Sequence, residues 1–167
     1  QKLLGIFMTN ASIESLYQTI ATGCITTRPS DWRECVIKYD EIARFASYQL
    51  YFLVPGDNKI YEEVEDSVAD AFGDLRKLMA VQSGGDAWYT ATFRMKPDGK
   101  FDFEFDYDHL PAFDIVPSPD KWRDEFKQYP RPDLQAQIQD WLDSDENDAL
   151  HDQVVQRLAD LQRGSPA

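Results

Sequence analysis

The eight residues Phe101–Asp108 alternate without exception between aromatic and acidic side chains, and this run constrains the fold more than any other segment. Successive side chains of a β-strand point to opposite faces, so the aromatic rings share one face and the carboxylates share the other. The segment Trp88–Met95 also alternates, and Lys96–Lys100 has turn chemistry, with Pro97 fixing φ and Gly99 free to adopt a left-handed conformation. The sequence therefore predicts a β-hairpin whose aromatic face lies in the core.

Apolar residues at helical spacing predict two helices upstream of this hairpin. One follows the i, i+3, i+4, i+7 pattern over Ile13–Ile20, and the other spans Val64–Met79. The segments Trp32–Tyr39 and Phe45–Val54 between them are rich in β-branched and aromatic residues and predict two strands. Large side chains on both faces of Phe45–Val54 indicate an interior or doubly covered strand, and the turn residues Pro55–Asn58 close it.

Three short helical patterns follow the hairpin and are opened by Pro119, Pro132 and Asp143. The resulting order is helix, two strands, helix, two strands and C-terminal helices. Strand pairs with helices grouped between and after them are typical of α+β proteins. We therefore predict a single α+β domain over residues 1–167, with an antiparallel sheet of about four strands and the C-terminal helices packed on it. Residues 1–7 are interpreted as a tag or an alternative start.

The charge of the chain restricts its partners. Its 30 Asp and Glu residues against 17 Lys and Arg residues give a net charge of −13. Nucleic acid and anionic lipid attract proteins with an excess of Lys and Arg. We therefore expect no nucleic-acid and no membrane partner, and we expect a basic protein as the partner. No apolar run reaches the length of a membrane span. The two cysteines, Cys24 and Cys35, are too few for a disulfide framework, so we expect a cytoplasmic protein.

Motifs of catalysis and cofactor binding are missing from the sequence. It contains no Gly-x-Ser-x-Gly, no phosphate-binding glycine loop and no cluster of Cys and His, and His109 and His151 are its only histidines. We therefore expect no catalytic residue, no metal site and no cofactor, which favours a binding protein. A hydrolase that uses paired carboxylates stays an alternative, because 30 acidic residues make such pairs plentiful.

The acidic face of the second hairpin strand is the first candidate binding site. Its carboxylates lie about 7 Å apart along the strand, so they repel one another and attract cations. We interpret them either as a solvated face that prevents edge-to-edge aggregation or as a docking ridge for a basic protein. A straight strand does not gather its side chains around Ca²⁺. Acids within Asp140–Asp152 form a weaker second group. The candidate partner-binding residues are Asp102, Glu104, Asp106, Asp108, Asp143 and Asp145.

The order of motifs adds a family resemblance that covers Trp32–Tyr107. After the early tryptophan come an aromatic strand, a helix, a strand that begins with Trp, a glycine turn and a strand that ends in Phe-Asp-Tyr. The segments that carry this order are Tyr48–Phe52, Phe72–Leu78, Trp88–Phe93, Asp98–Lys100 and Phe103–Tyr107. In this order and spacing the chain resembles the YezG-like immunity proteins, which are antitoxins of polymorphic bacterial nuclease toxins.

The resemblance implies an α+β fold, no catalytic activity and stoichiometric inhibition of a toxin domain, but it carries over no contact residues. Together with the net charge of −13 it predicts an immunity protein that binds and occludes the catalytic domain of a cognate secreted toxin, a nuclease. A nuclease presents a basic cleft to phosphate, and an acidic protein can occupy that cleft as a mimic of the polyanion. An acidic adaptor or chaperone for a secreted effector is a further alternative.

Overall fold

The computed structural model describes the backbone of residues 2–144 and 148–163 and the side chains of residues 12–144 and 152–163. The regular elements in chain order are α1 (Lys2–Cys24), β1 (Glu34–Ile42), β2 (Phe45–Val54), β3 (Asn58–Glu62), α2 (Asp66–Gln82), β4 (Thr90–Met95), β5 (Phe101–Asp106), α3 (Pro119–Gln128), α4 (Pro132–Gln135), a 3₁₀ turn (Ala136–Ile138), α5 (Gln139–Leu142) and α6 (Asp148–Gln162). Among these described helices, none is long and apolar enough to cross a membrane.

The strands form one antiparallel sheet in the order β3-β2-β1-β4-β5. The predicted α+β class is therefore confirmed, and the predicted hairpin is the β4–β5 pair, in which Gly99 has a φ of 86°. The predicted number of strands was too low, because β3 pairs with β2 directly after the turn. All five residues of β3 are exposed and show no apolar alternation, so no pattern in the sequence marks them as a strand.

One face of the sheet packs against α1 and α2. Its buried centre joins Ile37 of β1 and Phe93 of β4 to Phe72 of α2. The aromatic residues of β5 pack against this core, and the ring of Phe103 stacks on Tyr17 of α1 with 4.4 Å between the ring centroids. The aromatic face of β5 thus packs against the core, as predicted, with its rings partly buried. This packing holds β5 and its outward-facing carboxylates in place.

The C-terminal helices form a second core at the end of the sheet that carries the β1–β2 turn. Ile42, the last residue of β1, lies in this core with Trp122 of α3 and Leu158 of α6. Phe45, opposite Ile42 in the β1–β2 register, contacts Phe113 with 5.1 Å between the ring centroids. Alternation along β1 turns Ile42 away from the face that α1 and α2 cover. The C-terminal helices therefore pack on the sheet, as predicted, at the end of the opposite face where Ile42 lies.

Candidate partner-binding surface

The part of this opposite face that the C-terminal helices leave uncovered is here called the open face. Residues directly opposite one another in an antiparallel pair share a face, so the register assigns side chains from all strands to it. Its exposed side chains are Lys38, Gln49, Lys59, Tyr61, Arg94, Asp102 and Glu104. The exposed carboxylates thus lie at the β5 border of the open face, and its cations lie on the other strands.

Asp102 and Glu104 form no close ion pair in the described part of the chain, although Arg94 lies opposite Asp102 and also attracts Glu104. Asp102 lies opposite Arg94 on β4, but the Arg94 guanidinium donates to Glu34 Oε1 at 3.0 Å. This hydrogen bond raises the pKa of Arg94. Glu104 lies opposite Thr92, and among the described residues neither carboxylate has an ion pair or a side-chain hydrogen bond. Both are therefore available to a partner.

Asp106 and Asp108, the next two predicted acids, have partners within the fold. The half-buried Asp106 accepts the backbone N–H groups of Asp108 and His109 at 2.9 and 3.1 Å, and its Oδ2 lies 3.0 Å from Nδ1 of the His109 ring. Asp108 accepts a hydrogen bond from Arg131 at 3.1 Å, and Arg131 also donates to Asp133 at 3.0 Å. The hydrogen bonds to Asp133 and Asp108 raise the pKa of Arg131. Asp106 therefore holds the turn after β5, and Asp108 links this turn to Arg131 at the start of α4.

The weaker C-terminal group belongs to a different part of the fold from β5. Asp143 follows α5, is exposed, and accepts a hydrogen bond from the Gln139 side chain at 2.8 Å. Asp140 forms an ion pair with Arg157 of α6 at 3.0 Å, and this hydrogen-bonded pairing lowers the pKa of Asp140. Asp145 lies outside the described residues. The structure thus places Asp102, Glu104 and Asp106 on β5 and Asp143 among the C-terminal helices. The predicted strand was too long, because β5 ends at Asp106, where the side chain accepts the backbone N–H groups of Asp108 and His109 and turns the chain.

A groove of about 570 Å³ runs beside the β5 acids, and Lys38, Thr90, Glu104 and Gln162 contribute to its lining. Asp40 lies opposite Thr90 in register and is buried. Its Oδ1 accepts a hydrogen bond from the Thr90 hydroxyl at 2.6 Å. Burial raises the pKa of Asp40. This carboxyl is therefore hydrogen-bonded to Thr90, and the neighbouring Asp114 and Asp106 add to the rise in its pKa. In the ranges that the structure describes, no group of three or more His, Cys, Asp or Glu side chains is arranged to hold a metal ion.

A buried ionic cluster, which the sequence reasoning missed, links α2 to β1 and α3. Arg76 of α2 forms an ion pair with Glu125 of α3 and lies 3.6 Å from Glu41 of β1. Its Nε also donates to the Trp88 carbonyl at 2.6 Å, and Tyr39 donates its hydroxyl to Glu41 at 2.6 Å. Burial raises the pKa of Glu41. We call Arg76, Glu41, Glu125 and Tyr39 the Arg76 cluster.

The Arg76 cluster also holds the β1–β2 turn. Ala43 and Arg44 have φ values of 43° and 63°, in a left-handed region that is unfavourable for residues other than glycine. The backbone N–H of Ala43 donates to Glu125 at 3.0 Å and so ties this turn to α3. The sequence offers a signal for this role, because Glu125 lies three residues after Trp122 on the apolar stripe of α3. A charged residue at such a position is buried only with a partner.

Fold and surface together describe an α+β protein with exposed carboxylates on a partly open sheet face. The sequence model of the YezG-like immunity proteins matches residues 47–132, which is more than half of the chain. The chain therefore belongs to the YezG-like immunity protein family, and the resemblance seen in its motif order is confirmed. The matched region runs from β2 to the start of α4 and includes all four predicted strand acids. A comparison with curated proteins gives no match.

Proposed function

We propose that the protein binds its cognate toxin domain, a nuclease, and neutralises it by covering the basic region around the active site. The observation that carries this proposal is the exposure of Asp102 and Glu104 at the β5 border of the open face, without a close ion pair in the described residues, in a chain of an immunity protein family. The family supports a toxin as the partner. The net charge of −13 and these two carboxylates favour a basic partner that meets the β5 border, away from Lys38 and Lys59.

Charge of this kind accelerates capture of a nuclease. A nuclease grips phosphate with Lys and Arg, so its cleft has a potential opposite to that of a chain with a net charge of −13. Opposed fields raise association rate constants to as much as about 10⁸–10⁹ M⁻¹ s⁻¹ at low salt. Fast capture suits a cell that must neutralise a toxin that it makes itself.

Affinity needs buried contacts as well, because charges at the rim of an interface act mainly on association. The open face offers Tyr61, which is 55% exposed and lies beside Tyr51 with 5.7 Å between the ring centroids. The Lys59 ammonium lies 4.6 Å over the Tyr51 ring. Tyrosine is enriched among the residues that dominate interface energetics. The pair of Tyr61 and Tyr51 is therefore the buried contact with the toxin in our proposal.

The proposal includes inhibition without turnover, in the cytoplasm, and without a nucleic-acid or membrane partner. The acids whose pKa is raised by burial, Asp40 and Glu41, project from opposite faces of β1, and each is hydrogen-bonded within the fold. This arrangement supports a binding role over a carboxylate-dependent hydrolase.

Co-expression with candidate toxin domains encoded near this chain's gene tests the proposal. We expect the chain to restore growth, and we expect the purified chain to inhibit the nuclease at an equimolar ratio. A chain that changes secretion of the toxin without restoring growth is an adaptor or chaperone. A chain that hydrolyses a substrate unaided is a hydrolase. Either of these two results overturns the proposal.

A further inference from the structure

The strand β3 presents an outer edge that is unpaired within the described part of the chain. It pairs with β2 on one side, and all of its residues, Asn58–Glu62, are exposed. On such an edge every second residue directs its backbone N–H and C=O outward, where they can bond to another strand. Ile60 and Tyr61 are 37% and 55% exposed and add apolar surface on the two sides of this edge.

The opposite edge of the sheet, β5, is built differently. It carries the exposed acids Asp102 and Glu104, and charged side chains on an edge strand discourage pairing with unrelated chains. β3 carries two charges, Lys59, whose ammonium lies 4.6 Å over the Tyr51 ring, and Glu62 at its C-terminal end. The stretch Asn58–Tyr61 of this edge is therefore free of acidic side chains, unlike β5.

The acidic residues next to β3 favour pairing with a positively charged strand. The segment Glu62–Asp66 places four exposed acids at the C-terminal end of the edge. A second copy of this chain, paired antiparallel about Ile60, would set Glu63 of one copy opposite Asp57 of the other. Like charges directly opposite one another destabilise a sheet. A segment rich in Lys or Arg instead meets opposite charge at this end.

We propose that β3 accepts an extended cationic segment of the protein partner as an additional strand of the sheet. This inference rests on the proposed function, because it names the contact that holds the toxin domain. The added strand continues the open face beyond Tyr61. Main-chain hydrogen bonds at β3 and the charges of Asp102 and Glu104 then act on the same partner across one continuous surface.

Residue-resolved amide hydrogen exchange tests this inference, on the free chain and on its complex with the toxin domain identified by co-expression. We expect the outward-pointing amides of residues 58–62 to exchange at least about tenfold more slowly in the complex. The slowing should affect every second residue, because only alternate amides point away from β2. Side-chain contact alone does not produce this alternation, since it supplies no main-chain acceptors.

Charge reversal tests the cationic nature of the added strand. We expect Glu62→Lys combined with Glu63→Lys to lower the affinity for the toxin domain roughly tenfold. The matched control is Asp70→Lys combined with Asp74→Lys, which makes the same change in net charge at exposed positions of α2. We expect this control to keep its affinity within about twofold.

Three results would overturn part or all of this inference. Neutralisation of the toxin domain with unchanged exchange in β3 overturns strand addition and leaves the proposed function intact. An equal loss of affinity in the two charge variants overturns the cationic assignment. Failure to neutralise the toxin domain overturns the proposed function, and this inference falls with it.

Discussion

Two groups of carboxylates in this protein have opposite environments. Glu41 and Glu125 lie inside, around Arg76, and are 6% and 0% exposed. Asp102 and Glu104 lie outside on β5, where they are exposed. The same chemical group therefore joins parts of the fold in one place and is available to a partner in the other. Burial separates these two roles, and a count of charges does not reveal it.

The inner group is fully partnered because an isolated buried charge is very costly. Arg76 faces both carboxylates, the Tyr39 hydroxyl donates to Glu41, and the Ala43 N–H donates to Glu125. Removal of one member leaves the others buried without their partner. In the outer group, no described residue relies on Asp102 or Glu104 for an ion pair or a side-chain hydrogen bond. Substitution in the inner group should therefore lower stability, whereas substitution in the outer group should leave stability unchanged and slow the capture of the toxin.

Glu125→Ala has the largest expected effect and tests the inner group. It removes the ion-pair partner of Arg76 and the acceptor of the Ala43 N–H, so we expect the free energy of unfolding to fall by about 3–5 kcal/mol. Urea denaturation measures this change. Asp102→Ala is the matched control and should change the free energy of unfolding by less than about 0.5 kcal/mol. A loss below about 1 kcal/mol for Glu125→Ala would contradict the structural role of the inner group.

Asp102→Lys combined with Glu104→Lys tests the outer group. We expect association with the toxin domain to slow about tenfold at low salt, because two attractive charges become repulsive. Since both side chains are exposed, the free energy of unfolding should change by less than about 0.5 kcal/mol. Stopped-flow fluorescence gives the rate, and Asp70→Lys combined with Asp74→Lys is the control. Equal slowing in both variants would show that net charge, and not position on β5, governs capture.

Asp40 sharpens the comparison because it is buried like the inner group but belongs to the sheet face of the outer group. Burial raises the pKa of Asp40, so the native state binds its proton at a higher pH than the unfolded chain, in which an aspartate has a pKa of about 3.9. The ionised carboxylate therefore lowers stability at neutral pH. This destabilisation is relieved as the pH falls through the raised pKa and is gone below the unfolded value.

The variant Asp40→Asn measures this effect, since an asparagine oxygen can still accept the hydrogen bond from Thr90. We expect the variant to gain most stability relative to the parent protein at about pH 7 and least at about pH 4. Urea denaturation across this range compares the two proteins. A stability difference that does not vary with pH would refute the argument from burial.

Ala43→Gly should have the smallest effect and tests the turn that the inner group holds. Glycine adopts the φ of 43° without the steric cost of a Cβ atom and keeps the N–H that donates to Glu125. We expect the free energy of unfolding to rise by about 0.5–1 kcal/mol, as measured by urea denaturation. A decrease would mean that the turn is not strained at this residue.

The parts of the fold that could be predicted from the sequence are those with local signals. The β4–β5 hairpin is specified by alternation on both strands and by Gly99 between them, and α2 is specified by an apolar stripe around Phe72. The exposed strand β3 has no such pattern, because its identity depends on pairing with β2. Strands of this kind are recognised only once their neighbour is placed.

The candidate site was predictable to a similar extent. Alternation alone places Asp102 and Glu104 on a common face, and the structure brings them together there. Asp106 and Asp108 differ from these two acids because they pair with His109 and Arg131. The position of Arg131 is set by tertiary structure. The pairing of Arg76 with Glu125 joins helices far apart in the chain and has the same origin.

The dependence of the association rate on ionic strength tests most directly the claim that the exposed β5 carboxylates steer a basic partner. For the unaltered chain and the toxin domain, we predict a steep fall in rate as salt is raised, because salt screens exposed charges. The fall should be shallow for Asp102→Lys combined with Glu104→Lys and steep again for Asp70→Lys combined with Asp74→Lys. The same slope for all three proteins would contradict the claim.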